Sequence, residues 1–146
     1  MKRQVFMAAA ICCLFVLAAV TPAFAQMPGT EIRAMIPFDF MVRGKLLPAG
    51  KYDVKRIFDS PEGLMIQNEA THQTEVFETD PVDAQRTPTK ARLVFHRYGD
   101  DYFLDEIWTP GVSTGRELVP TRTERRLSRE LARNNDQAQT VVVAAY

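Results

Sequence analysis

The sequence predicts a mainly β protein, a small antiparallel β-barrel or β-sandwich of about six to seven strands followed by one C-terminal α-helix. Three observations carry this expectation. Apolar residues recur with period two in short runs, turn residues interrupt those runs about every eight to twelve positions, and one late stretch changes to helical spacing behind a capping signal. One sequence does not choose between barrel and sandwich. Length and composition agree with a single globular unit: 146 residues, 46% hydrophobic, 25% charged. With 18 basic and 18 acidic side chains the net charge is zero, so nothing electrostatic points to nucleic acid.

The chain opens on a leader. Lys2 and Arg3 precede an uninterrupted apolar run from Val5 to Val20; Pro22 breaks it, and Ala23-Phe24-Ala25 offers the small residues of a cleavage site. This pattern predicts a signal peptide over 1–25, cut between Ala25 and Gln26, and hence a periplasmic or extracellular location. The run is shorter than the roughly 20 residues of a spanning helix, which argues against an uncleaved anchor. Attachment through Cys12 is the weaker reading, because Ala9 stands where a leucine is usual. Cleavage would leave 121 residues, with 16 bases, 18 acids and neither cysteine. Such a domain has no disulfide, no thiol nucleophile and no thiolate metal site, and relies on its core.

From Glu31 to Val42, Ile32, Ala34, Ile36, Phe38, Phe40 and Val42 share one face, and Arg33, Met35, Pro37, Asp39 and Met41 the other. That alternation predicts a half-buried antiparallel strand, with Pro37 at an edge or bulge. Leu46 to Gly50 reads as a turn. Tyr52, Val54 and then Ile57 or Phe58 form a second strand whose slipped phase suggests a bulge near Arg56. Asp59 to Gly63 is the next turn, Leu64 to Gln67 a short strand, and Thr74 to Thr79 a fourth. Pro81 to Lys90 reads as a loop. The clearest hairpin joins Arg92–Tyr98 to Tyr102–Thr109 through Gly99-Asp100-Asp101. If Phe103 and Ile107 face the core, alternation sends Trp108 the other way with Tyr102 and Leu104, onto a face the helix or a partner must cover. Pro110 to Gly115 ends the strands.

Thr121 and Glu124 then have capping-box spacing, and Leu127 and Leu131 lie one turn apart. The expected divisions are a β domain over 26–120, a helix over 121–133, and a tail over 134–146 whose Val141–Val143 run adds an edge strand or frays.

Several segments together resemble a family of small exported bacterial proteins of unassigned activity. They are Ile36-Pro37-Phe38-Asp39-Phe40, Leu47-Pro48-Ala49-Gly50-Lys51-Tyr52-Asp53-Val54, Phe95-His96-Arg97-Tyr98-Gly99-Asp100, Phe103-Leu104, Ile107-Trp108-Thr109-Pro110-Gly111 and Gly115-Arg116-Glu117-Leu118. The resemblance spans about residues 31–133. It implies export and a compact β-rich domain, and carries over no catalytic residue.

Chemistry-bearing residues are few. His72 lies in a polar loop, and His96 alternates with Val94 and Tyr98, as a cross-strand hydrogen-bonding residue would. No H-x-H, HExxH or cysteine spacing suggests a metal, and no cofactor is expected. Asp105 and Glu106 are adjacent in a strand and so point to opposite faces; alone they make no catalytic dyad. Asp100 and Asp101 suit a hairpin turn. No serine sits in a G-x-S-x-G elbow, and the Arg-rich helix reads as a solvated surface. The aromatic residues of the hairpin, Tyr98, Tyr102 and Trp108, with His96, are the candidate ligand-binding set, against the plainer reading that they are core and cross-strand packing. The leading expectation is thus a non-enzymatic exported domain that binds a small ligand or an envelope protein. Second comes an assembly component pairing through a strand edge or its tail, and third a hydrolase with unidentified carboxylates.

Overall fold

The computed structural model describes residues 32–57, 60, 62–134 and 136–146. The predicted signal peptide, its cleavage site, Phe58 and the centre of the Asp59–Gly63 turn lie outside the described residues. The fold is mainly β, and its two sheets form a sandwich-like structure with one C-terminal helix. The first sheet is antiparallel, in the order β1-β4-β5-β6: β1 (Ile32–Ile36), β4 (Gly50–Arg56), β5 (Gly63–Asn68) and β6 (Thr74–Glu78). The second runs β11-β8-β9-β10-β7: β7 (Asp80–Asp83), β8 (Arg92–Tyr98), β9 (Asp101–Trp108), β10 (Thr114–Glu117) and β11 (Gln139–Ala144). To it belong β2 (Phe40–Val42) and β3 (Lys45–Leu47).

The long N-terminal alternation keeps its faces but not its continuity. Ile32, Ala34, Ile36, Phe40 and Val42 are all buried, yet the chain breaks between β1 and β2 around Pro37, which has no N–H for a ladder. The break lets the chain change sheets: β1 pairs with β4, while β2 lies parallel to β9 with Met41 opposite Phe103. Leu46 and Leu47, expected in a turn, belong to β3. The turn is at Arg43-Gly44, both at positive φ, the two-residue connection whose twist matches a hairpin. No bulge occurs near Arg56, where β4 and β5 stay in regular register through Arg56 opposite Leu64.

Two short strands escaped the sequence reading. Asp-Pro-Val-Asp (β7) and Thr-Gly-Arg-Glu (β10) have little strand composition, but they pair with each other, and β10 also pairs with β9. Pro81 and two aspartates sit on an outermost strand, where missing or charged groups discourage pairing with other chains. At Thr79, between β6 and β7, the chain passes from one sheet to the other. This residue is buried, and both its N–H and its hydroxyl donate to the Glu62 carbonyl. The sheets also meet where Ala145 bridges Ala34 and Tyr146 exchanges two backbone hydrogen bonds with Arg33.

The core lies between the sheets. Its largest fully buried side chains include Tyr52, Phe40, Phe95, Ile36 and Leu47. Edge-to-face contacts of Phe40 with Tyr52 and Phe95 knit it together. The helix α1 (Arg122–Arg133) packs outside this core, against the second sheet. No helix among the described residues is long and apolar enough to cross a membrane.

Candidate functional site

The β8–β9 hairpin carries all four candidate residues. It turns through Gly99, whose positive φ suits the first central position of a two-residue turn. Strict alternation fails in its middle. Val94 faces Glu106 but Phe95 faces Leu104, so Asp105 is an extra residue in β9, a β-bulge that resets which side chains point inward. The bulge stands where β9 changes its outer neighbour, from β2 opposite Phe103 to β10 opposite Glu106 and Ile107. The Asp105 carbonyl there accepts the Leu118 N–H at 2.7 Å.

This phase change corrects the expected facing. Leu104 and Ile107 both enter the core between the sheets, and Tyr102 packs beside them. Phe103 and Trp108 occupy the opposite, outer face with Val94, His96 and Tyr98. Buried Val94, Tyr98, Phe103 and Trp108 all lie outside the inter-sheet core cluster. Tyr102 and Trp108, the pair expected to share a face, are on opposite sides of the sheet.

The four residues therefore occupy three environments. Tyr102 stacks on Phe38 with ring centroids 3.9 Å apart, under the Arg97 guanidinium. Trp108, 3% exposed, lies flat on Gly115 of β10, where an added Cβ would fall 2.6 Å from its ring. Its Nε1 donates to Glu106 Oε2 at 2.7 Å, and Arg92 stands 5.5 Å above the ring. His96 and Tyr98 lie at the other end of the outer face, beneath α1.

Two concavities open on that face. The larger, about 890 Å³, is walled by the 84–91 loop, with Arg92, Glu106 and Trp108 on its sheet side. Three backbone hydrogen bonds fix the loop: Ala84 N–H to Ser113, Gly111 N–H to the Pro88 carbonyl, and Ala145 N–H to the Ala91 carbonyl. Arg92 Nε is the one buried side-chain nitrogen or oxygen among the described residues without a hydrogen-bond partner. Arg86 and Lys90 add positive charge to the rim. Of the two carboxylates in the lining, Asp83 accepts from the Thr114 hydroxyl and Glu106 from Trp108.

The smaller cleft, about 360 Å³, lies between sheet and helix. His96 is its centre: Nε2 is 3.4 Å from Asp105 Oδ2, and Nδ1 is 3.8 Å from Glu124 Oε1. The Glu124 carboxylate, 3.8 Å away, does most to hold the imidazole above its ordinary pKa, against the opposing effect of burial, with Asp105 adding to the rise. Burial pushes the Asp105 carboxyl up to about 6, although His96 pulls the other way. Tyr98 and Ser128 of the helix also line this cleft, and burial raises the Tyr98 phenol. Among the described residues no group of three histidine, cysteine or acidic side chains is gathered to hold a metal.

Sequence reasoning read Glu124 only as a helix cap and Asp105 only as half of an acidic pair. The one available signal was Asp105-Glu106 interrupting the apolar Phe103-Leu104 and Ile107-Trp108 pairs, a spacing no single two-residue phase can bury. Compared with family models, curated proteins and solved structures, the chain finds no match.

Proposed function

We propose that the chain is exported through its N-terminal leader and works in the cell envelope as a non-enzymatic domain that binds a ligand or partner. The resemblance to small exported bacterial proteins and the leader pattern support export. The observation that carries the binding reading is the concavity at the 84–91 loop. It is a wide space beside a backbone pinned at three points, with a guanidinium at its base that has no ion pair among the described residues. A partly buried arginine is a ready partner for carboxylate, and Trp108 fixes its position. The site thus suits an acidic peptide segment, received by Arg92 with Arg86 and Lys90 at the rim. The histidine cleft favours catalysis less, because both ring nitrogens of His96 already face carboxylates and neither is left to activate a nucleophile.

Trp108 is the only tryptophan of the chain, so its emission reports on the wall of this concavity alone. Titration with short Glu-rich peptides is expected to shift that emission saturably, and Arg92→Gln to abolish the response without unfolding the domain. Emission unmoved by these peptides, or moved equally in Arg92→Gln, would contradict the assignment.

A further inference from the structure

We propose that α1 is a proton-operated strap over the His96–Tyr98 end of the outer face, held down while His96 is protonated and released when it is not. The helix has little else to hold it. Its one buried residue is Glu124, 5% exposed, and Leu127 and Leu131 are only half-buried. Amphipathic helices ordinarily dock through an apolar stripe; here the buried contact is a carboxylate meeting a histidine.

The geometry makes that contact conditional. Glu124 closes the capping box, its Oε2 3.4 Å from the Thr121 N–H while the Thr121 hydroxyl accepts the Glu124 N–H. Its other oxygen faces His96 from above, and Asp105 faces His96 from within the sheet. The remaining charged groups around the imidazole are Glu106 of β9, Glu117 of β10, and Arg125 and Arg129 on the exposed side of the helix. Tyr98 on β8 is the other titratable neighbour, and β11 presents uncharged Thr140 opposite His96.

With His96 protonated, one cation lies between the two nearest carboxylates and joins helix to sheet. Without that proton, Asp105 and Glu124 face each other across a neutral ring with Glu106 and Glu117 nearby, and Arg125 and Arg129 are left to offset them from solvent. Asp105, its carboxyl pushed up to about 6 by burial, is already an anion when the raised imidazole gives up its proton, and that loss leaves it facing Glu124 with no cation between them. Rising pH therefore weakens the contact at the point where His96 loses its proton.

The ends of the strap stay fixed. Leu118 is bound to the Asp105 carbonyl before the helix, and β11 is paired with β8 along Gln139–Ala144 after it. The helix can lift only between these anchors, and lifting it uncovers His96 and Tyr98.

A proton NMR titration of the wild-type domain tests this. There are two histidines, and His96→Gln identifies the His96 signal. His96 is expected to titrate above the ordinary imidazole value. The backbone amides of Glu124–Leu131 should move with the same midpoint. Glu124→Gln should lower that midpoint. A His96 midpoint at or below the ordinary value, helix amides that ignore it, or a Glu124→Gln midpoint unchanged would each overturn the proposal.

Discussion

The two ends of the outer face of β8–β9 are covered in different ways. At one end Trp108 is closed in by shape, lying on Gly115 with Arg92 above it and the 84–91 loop alongside. At the other, His96 and Tyr98 are closed in by α1, whose Glu124 carboxylate faces the imidazole. Packing of the first kind does not depend on protonation; contact of the second kind does. The same hairpin thus carries a permanent cover and a conditional one, separated by the Asp105 bulge.

The largest expected effect comes from removing what both covers are built upon. Deleting residues 139–146 takes away β11, which pairs with β8, and the Tyr146–Arg33 bonds that join the sheets. The exposed edge of a central hydrophobic strand should leave the domain unfolded or self-associated in analytical ultracentrifugation and circular dichroism. A folded monomer would show that the tail is dispensable.

Trp108→Ala attacks the shape-closed end alone. Loss of a nearly fully buried tryptophan should cost about 3–5 kcal/mol in denaturant unfolding. Gly115→Ala, which drives a Cβ into the Trp108 ring, should cost about 1–3 kcal/mol by overpacking. Neither loss should vary between pH 6 and pH 8.5. A pH-dependent loss would mean that the two ends are not separate.

Much of this architecture was legible in the sequence and some was not, for identifiable reasons. Apolar alternation in Ile32–Ile36, Tyr52–Val54 and Arg92–Tyr98 marks strands because one face of each must be buried. The helix start was legible because a cap is a local interaction between Thr121 and Glu124. What escaped depends on partners distant in the chain. Asp80–Asp83 and Thr114–Glu117 are strands because they pair with each other, not because of composition. The Asp105 bulge is set by β9 changing neighbours from β2 to β10, and that single extra residue moved Tyr102 and Trp108 to opposite faces. A candidate site read from alternation within one hairpin could not survive it. His96 reads from the sequence as a cross-strand hydrogen-bonding residue; in the fold it faces Asp105 of β9 and also Glu124, which lies 28 positions away and is brought to it only by the folding of α1.

Smaller effects probe the charge-closed end. Thr121→Ala removes the hydroxyl that accepts the Glu124 N–H and should cost about 1 kcal/mol. It should also loosen the carboxylate that faces His96, so the His96 midpoint should fall slightly. Stability as a whole should decline as pH rises. His96 and Asp105 both have folded-state pKa values above their ordinary ones, so the folded domain binds protons more tightly than the unfolded chain. Their contribution is complete below about pH 4, where the unfolded chain also holds both protons. It diminishes as pH passes through about 6 for Asp105 and then through the raised His96 value. Urea midpoints measured across this window should fall in the wild type and less steeply in His96→Gln.

Amide hydrogen exchange at both ends of the hairpin, in one sample at pH 6 and at pH 9 with each rate divided by its intrinsic value, tests the comparison most directly. Protection across Glu124–Leu131 should fall by about tenfold or more at the higher pH, while that of Leu93 and Ile107, beside the Trp108 end, holds. Equal protection of the helix at both pH values, or loss of protection at both ends together, would contradict the account.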